Sequence, residues 1–90
     1  MSDRAIVLYA TDWCGYCQRA RELLKAKGVD YTEIDVDATP GARAQMLARS
    51  GRTSVPQLFV GERHLGGYDD IKALDEQGEL DLVLAGTANA

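Results

Sequence analysis

The first third of the chain alternates between two kinds of hydrophobic pattern, and this alternation limits the possible folds more than any other feature. Residues 4–10 form a run of aliphatic and β-branched side chains that is typical of a buried strand. Residues 15–27 place apolar side chains at helical spacing, and residues 29–36 alternate apolar and polar positions. A strand, a helix and a strand in this order require a right-handed crossover, so the two strands are predicted to be parallel.

A second helix is predicted to follow the second strand. Thr39 is a residue type that commonly caps a helix, and Pro40 has the backbone angle that suits the first helical position. The helix is predicted to continue to about Arg49, because Ser50-Gly51 ends the apolar pattern.

The C-terminal half is predicted to add a β-hairpin and a third helix. Residues 57–60 form an apolar strand, residues 61–63 turn the chain, and residues 64–65 form a short partner strand. The third helix covers residues 68–77, and residues 80–84 form a last helical turn. The order β-α-β-α-β-β-α predicts an α/β fold of thioredoxin type, in which a four-stranded mixed sheet has helices on both faces.

Length and composition indicate one globular domain. Ninety residues, of which 46% are hydrophobic and 27% charged, suit a single domain over residues 1–90, with residues 85–90 as a flexible tail. The longest apolar run is far shorter than the roughly 20 residues of a membrane span, and no secretory signal is evident, so we expect a cytoplasmic protein without membrane contact. The net charge of −4 argues against nucleic-acid binding.

The two cysteines, Cys14 and Cys17, are separated by only two residues. A disulfide across so short a loop stabilises a fold little, and two cysteines with His64 make a poor zinc site, so no metal ion is predicted. Cys14 lies where the first strand meets the first helix, and unpaired N–H groups and the helix dipole stabilise a thiolate there. We therefore predict that Cys14 is the exposed nucleophile and Cys17 the buried resolving thiol.

Two further motifs suggest a ligand site. Pro56 directly precedes an apolar strand, and a cis Val55–Pro56 bond would present the backbone of Val55 to an extended ligand; a trans edge-strand proline is the alternative. Gly66-Gly67 precedes the third helix, whose N-terminal N–H groups suit a carboxylate. Asp69 is suited to cap this helix, to pair with a ligand ammonium group, or to do both, and a simple capped helix is equally consistent with the sequence.

Together these motifs resemble those of the glutaredoxins. Residues 14–17 (Cys-Gly-Tyr-Cys), residues 49–61 and residues 66–70 match that family in order and spacing, and the similarity extends to about residue 84. The resemblance implies a thioredoxin fold and an enzyme that reduces protein disulfides and glutathione mixed disulfides. It also implies glutathione as the reductant, oxidised or glutathionylated proteins as substrates, and a monomer.

The resemblance also assigns roles to individual residues. Cys14 is implied to be the nucleophile that becomes glutathionylated, and Cys17 the resolving thiol. Val55 is implied to pair with the cysteinyl backbone, Asp69 with the ammonium group and Arg43 with the glycyl carboxylate of glutathione. The full set implied to bind glutathione is Tyr16, Arg43, Ser54, Val55, Pro56, Gly67, Tyr68 and Asp69.

Four positions depart from the family pattern. Gly15 stands where many glutaredoxins have proline, and members with glycine there can share a glutathione-ligated [2Fe–2S] cluster across a dimer. A cluster carrier that uses Cys14 as a ligand is therefore the alternative function, and a dimer is expected only in that case. Thr11 replaces a lysine that contacts glutathione, Ser54 replaces a threonine, and Tyr68 replaces a small residue or cysteine in the γ-glutamyl pocket.

Two related families share part of the first motif. Thioredoxins resemble residues 13–15 but have proline where Tyr16 stands, and mycoredoxins resemble residues 13–17 but generally lack the segment found at 66–70. Glutathione is therefore favoured over mycothiol or a flavoprotein as the reductant. Residues 41–52 contain three arginines and no acidic residue, which suits a negatively charged small thiol.

Overall fold

A computed structural model describes residues 5–85 of the chain, and the elements in this range follow the predicted order. They are β1 (Ile6–Ala10), α1 (Gly15–Ala26), β2 (Thr32–Asp35), α2 (Ala42–Ser50), β3 (Gln57–Val60), β4 (Arg63–Gly66), α3 (Tyr68–Glu76) and α4 (Leu80–Leu84). None of the helices within residues 5–85 has the length and apolar character needed to cross a membrane. Of the predicted tail, residues 86–90 lie outside the described residues.

The four strands form one mixed sheet in the order β2-β1-β3-β4. The pair β1–β2 is parallel, with Val7 opposite Thr32. The pairs β1–β3 and β3–β4 are antiparallel, with Leu8 opposite Leu58 in the first and an irregularity after Leu58 in the second. The parallel crossover predicted from the alternating patterns is therefore confirmed.

Successive side chains of β1 enter two separate cores, because alternate residues of a strand point to opposite faces of the sheet. Ile6 and Leu8 belong to a larger core, which is completed by α1, α3 and α4. Tyr9 belongs to a smaller core with Met46 of α2 and Phe59 of β3. Helices cover both faces of the sheet, as predicted.

The predicted start of the second helix is wrong by about two residues. Thr39 belongs to a turn, in which its N–H donates to the carbonyl of Asp35 at 2.9 Å and its own carbonyl accepts from Ala42 at 3.1 Å. Gly41 then adopts a left-handed conformation with φ of 80°, which a helix interior does not contain. Pro40 therefore lies in the turn and not at the first helical position, and α2 begins at Ala42.

The second strand is shorter than the predicted range of 29–36. Only four residues pair with β1, ending where Asp35 lies opposite Ala10. Val29 and Tyr31, which carry the first part of the alternating pattern, pack against the larger core without strand pairing. The alternating pattern therefore predicts correctly which side chains are buried, but it extends further along the chain than the strand itself does.

Candidate active site

Cys14 is the N-cap residue of α1, with an extended backbone (φ −87°, ψ 124°). The first turn of this helix contains no acidic side chain, so nothing there opposes the positive end of the helix dipole. Both cysteines are free thiols; Cys14 is half-buried, whereas Cys17 is fully buried in the larger core. The predicted difference in exposure between the two thiols is confirmed.

The surroundings of the two thiols shift their pKa values in opposite directions. Burial by itself raises the pKa of Cys14, but hydrogen bonds from Cys17 and from the N–H of Tyr16, together with the charge of Arg21, outweigh it. The pKa of Cys14 therefore lies below its ordinary value. Burial raises the pKa of Cys17, and the hydrogen bond from the Thr11 N–H to its Sγ at 3.5 Å offsets only part of that rise. Cys14 is therefore the thiol that ionises first.

This difference predicts the pH dependence of alkylation. Because only the thiolate reacts, the rate at which iodoacetamide modifies Cys14 is expected to rise with pH through a midpoint below 9.0. Cys17 is expected to react more slowly at every pH, since it is buried and its pKa is raised. Fragment mass spectrometry of the wild-type protein locates the modified cysteine. A midpoint for Cys14 equal to that of the urea-unfolded chain would contradict the prediction.

Arg21 of α1 is held beside the thiols by Glu33 and the backbone of Thr11. Its Nη2 lies 2.8 Å from Oε2 of Glu33 on β2 and donates to the carbonyl of Thr11 at 2.7 Å. Thr11 itself is fully buried, and its Oγ1 has no hydrogen-bond partner among the described residues. A side chain buried in this way does not reach a ligand at the surface, so the position implied to hold a lysine contact supplies none here.

The loop before β3 brings a backbone carbonyl next to Cys14. The Val55–Pro56 bond is cis, as one of the two interpretations of the sequence predicted. The carbonyl oxygen of Val55 lies 3.9 Å from Cys14 Sγ. Gln57, which is fully buried, donates from Nε2 to the carbonyl of Ser54 at 3.0 Å and to its hydroxyl at 3.3 Å. These bonds fix the loop that carries Val55.

His64 lies in β4 and is partly buried. Its ring stacks on Phe59 with the centroids 4.8 Å apart, and its Nε2 lies 2.6 Å from Oε1 of Gln57. Burial lowers the pKa of His64, and the charges of Arg52 and Arg49 lower it further. His64 therefore supports the hydrogen bonds of the loop before β3.

The N-terminus of α3 forms the third segment of the site. The N–H of Gly67 donates to Oδ2 of Asp70 at 3.0 Å, and Nη1 of Arg52 lies 2.9 Å from the same oxygen. The Arg52 hydrogen bond, followed by that of Gly67, holds the pKa of Asp70 below its usual range. A Cβ atom on Gly66 would collide with the Asp70 carboxylate, which explains the glycine there. Asp70 supplies the cap, and the carboxylate of Asp69 makes no hydrogen bond or ion pair with residues 5–85.

These three segments enclose a cleft of about 270 Å³ beside Cys14. The rings of Tyr16 and Tyr68 lie 6.3 Å apart at its edge. Seven of the eight residues predicted to bind glutathione line this cleft, and Arg43 is the exception. Arg52 and Asp70 line it as well, although the sequence analysis did not place them in the binding set. The available signal for Asp70 was an acidic residue three positions after the residue that precedes the helix, because its carboxylate can accept from the N–H of that residue.

Comparison with known proteins identifies the family. The family model described as Glutaredoxin matches residues 6–65. The chain belongs to the glutaredoxin family. A glutaredoxin of Pseudomonas aeruginosa is 49% identical over 80 residues, which cover 89% of this chain and 95% of that protein. Glutaredoxin 3 of Escherichia coli (strain K12) is 46% identical over 79 residues, which cover 88% of this chain and 95% of that protein.

The fold agrees with that of solved glutaredoxins. The crystal structure of a buckwheat glutaredoxin–glutathione complex superposes with a TM-score of 0.86 at 28% identity and covers 97% of this chain and 82% of that chain. The thioredoxin fold predicted from the sequence is thereby confirmed. Membership in the glutaredoxin family makes the chain a thiol–disulfide oxidoreductase, which agrees with a half-buried Cys14 thiol of lowered pKa.

Arg43 lies outside the cleft of this glutaredoxin. Its Nη2 and Nε lie 2.7 Å and 3.1 Å from Oδ1 of Asp37. The indole N–H of Trp13 donates to the other oxygen of Asp37 at 2.9 Å. The hydrogen bonds from Trp13 and then from Arg43 hold the pKa of Asp37 below its usual range. The structure therefore joins Arg43 to Trp13 in a surface network and not to the residues that line the cleft.

Proposed function

We propose that the chain reduces glutathione mixed disulfides and protein disulfides with glutathione as the reductant. The observation that carries this proposal is the position of Cys14, whose Sγ lies 3.9 Å from the Val55 carbonyl next to the cleft. Glutathione is a thiol flanked by an ammonium group and two carboxylates, and the cleft offers complementary groups on the same side as the thiol. The cytoplasmic location and the monomeric state stay predictions.

The γ-glutamyl end of glutathione is proposed to bind at the start of α3. The N–H groups of Tyr68 and Asp69 lie in the first turn of α3, where a helix N-terminus favours a carboxylate, whereas the N–H of Gly67 is bonded to Asp70. Asp69 lines the cleft and has no described partner, so its carboxylate is available to the ammonium group. The crystal structure of the buckwheat glutaredoxin is that of a complex with glutathione, which supports this assignment.

The cysteinyl part is proposed to pair with the backbone of Val55. An extended peptide adds to such a backbone as a further strand would, and this places its sulfur beside Cys14. Gln57 holds Ser54 by two hydrogen bonds, so the loop is fixed before the ligand binds. Tyr16, 55% exposed, is proposed to pack against the ligand.

Reduction of a glutathionylated protein is proposed to proceed in two steps. The Cys14 thiolate attacks the glutathione sulfur, forms a new S–S bond to it and releases the protein thiolate, which takes up a proton. A second glutathione thiolate then attacks the glutathione sulfur on Cys14, which yields glutathione disulfide and restores the Cys14 thiolate. The two electrons that reduce the mixed disulfide thus come from glutathione, and Cys17 takes no part in this reaction.

Reduction of a protein disulfide is proposed to use both cysteines. The Cys14 thiolate attacks one sulfur of the substrate and releases the other as a thiolate. Cys17 loses its proton and attacks Cys14 Sγ, which releases the second substrate sulfur and forms the Cys14–Cys17 disulfide. Two glutathione molecules then reduce this disulfide and leave as glutathione disulfide.

Substitution of Asp69 tests the binding part of the proposal. Asp69→Asn is expected to raise the KM for a glutathionylated peptide about tenfold, because a charge-assisted hydrogen bond to the ammonium group is lost. The kcat is expected to change much less, since Asp69 does not touch the reacting sulfurs. Glu76→Gln, an exposed acidic residue at the other end of α3, is the matched control. Equal KM values for both variants in the glutathione-coupled assay would overturn the assignment of Asp69.

The alternative function predicted from Gly15, a [2Fe–2S] carrier, stays a prediction. Such a cluster needs four ligands, and within residues 5–85 no group of three or more His, Cys, Asp or Glu side chains could hold a metal ion. Because Cys17 is fully buried, one chain offers Cys14 alone, and a cluster would need a second chain and two glutathione molecules. Anaerobic reconstitution with iron, sulfide and glutathione tests this function, and a colourless monomer would count against it.

A further inference from the structure

Trp13 is an aromatic side chain next to Cys14 that the cleft does not use. It is 73% exposed, the highest value among the large hydrophobic side chains of the described residues. Tyr16, on the other side of Cys14 in the sequence, lines the cleft, whereas Trp13 does not. Tryptophan is enriched among the residues that contribute most of the binding energy at protein interfaces, and this one lies next to the reactive thiol in the sequence.

The Trp13 ring is held in place by a chain of hydrogen bonds. Its indole N–H donates to Oδ2 of Asp37 at 2.9 Å, and Arg43 holds the other oxygen of the same carboxylate. The N–H of Asp37 in turn donates to Oδ1 of Asp35 at 2.9 Å. An aromatic ring fixed in this way loses little conformational entropy when a partner binds.

The surroundings of Trp13 are negatively charged. Asp12, the preceding residue, is exposed and makes no ion pair or hydrogen bond with the part of the chain that the structure describes. Asp35 and Asp37 add two carboxylates, and Arg43 contributes the single positive charge of this hydrogen-bonded group. We call the Trp13 ring and the carboxylate of Asp12 the Trp13 platform. An exposed indole face and an exposed carboxylate on the preceding residue are both chemically complementary to a cationic side chain.

We propose that the Trp13 platform binds the polypeptide part of a glutathionylated substrate and favours lysine or arginine beside the modified cysteine. This inference rests on the proposed function, in which glutathione occupies the cleft. The polypeptide attached to the other sulfur then has to contact the surface around Cys14 outside the cleft. When the Cys14–glutathione bond forms and the substrate S–S bond breaks, the polypeptide leaves as a thiolate that takes a proton from water, so no further reactant is needed.

Three glutathionylated peptides that differ only in the residues flanking the cysteine test the proposal. The flanking residues are lysine, serine or glutamate, and kcat/KM is measured in the glutathione-coupled assay. The wild-type protein is expected to prefer the lysine peptide over the glutamate peptide about tenfold. Trp13→Ala is expected to reduce this ratio to about twofold, and Asp12→Asn to about fourfold. Asp12 is exposed and unpartnered, so its substitution tests the platform without a change in the core.

The control variant is Leu47→Ala, which removes another exposed apolar side chain, on α2, and is expected to keep the tenfold ratio. A preference due only to the net charge of −4 would persist in Trp13→Ala, and that result would overturn the platform. Equal kcat/KM values for the three peptides in the wild type would overturn it too. The mixed disulfide of glutathione and 2-mercaptoethanol, which carries no polypeptide, is the reference substrate. If the wild type does not reduce even this compound with glutathione, the proposed function itself fails.

Discussion

Cys14→Ser is expected to lower kcat/KM for a glutathionylated peptide by more than about 10³-fold. The hydroxyl group of serine is not ionised at neutral pH, so the hydrogen bonds and the Arg21 charge that lower the Cys14 pKa have no thiolate to stabilise. Cys17 does not replace it, because its side chain is fully buried and its pKa is raised. The glutathione-coupled assay measures the loss directly.

The fold is expected to survive this substitution, since Cys14 is a half-buried N-cap residue and serine also caps helices well. Urea denaturation of Cys14→Ser beside the wild type checks this point. If the variant kept more than about a tenth of the activity while fully folded, a group other than Cys14 would be the nucleophile.

Cys17→Ser is expected to separate the two reactions. Reduction of an intramolecular protein disulfide is expected to fall by about 100-fold, because no thiol is left to attack the mixed disulfide on Cys14. Reduction of a glutathionylated peptide needs only Cys14 and glutathione, so it is expected to remain within about threefold of the wild type. Both substrates are assayed with the same protein preparation.

The same variant provides a direct observation of the intermediate. With a protein disulfide as substrate, Cys17→Ser is expected to accumulate a covalent complex through Cys14, which non-reducing electrophoresis and intact-mass spectrometry detect. Equal losses on both substrates would mean that Cys17 acts through the packing of the larger core and not as a resolving thiol.

The order of strands, helices and hairpin was sufficient to predict the fold. The spacing of apolar residues differs between helices and strands, and in each element it shows which face is buried. The start of α2 was predicted wrongly because the local signal at Thr39 and Pro40 competes with a turn closed by Asp35. The left-handed backbone of Gly41 then separates this turn from the helix. Residue preferences for helix N-termini do not account for such a turn, whose first hydrogen bond ends on Asp35, the last residue of β2.

The sequence was sufficient to predict the three segments that form the site, but not how their residues are positioned relative to one another. The sequence places Val55 and Cys14 41 residues apart, and only the packing of β3 beside β1 brings the carbonyl oxygen to 3.9 Å from the thiol. The ion pair between Arg52 and Asp70 depends on the same packing. Arg43 illustrates the opposite case, since its pairing with Asp37 follows from a turn that the sequence analysis did not predict.

The central claim, that Cys14 reacts with glutathione held in the cleft, is tested most directly by NMR on the Cys17→Ser protein carrying glutathione on Cys14. Amide chemical shifts are compared before and after the mixed disulfide forms. We predict the largest changes at Val55, Gly67 and Tyr68, together with the first turn of α1. Changes confined to that first turn, with Gly67 and Tyr68 unaffected, would contradict the claim.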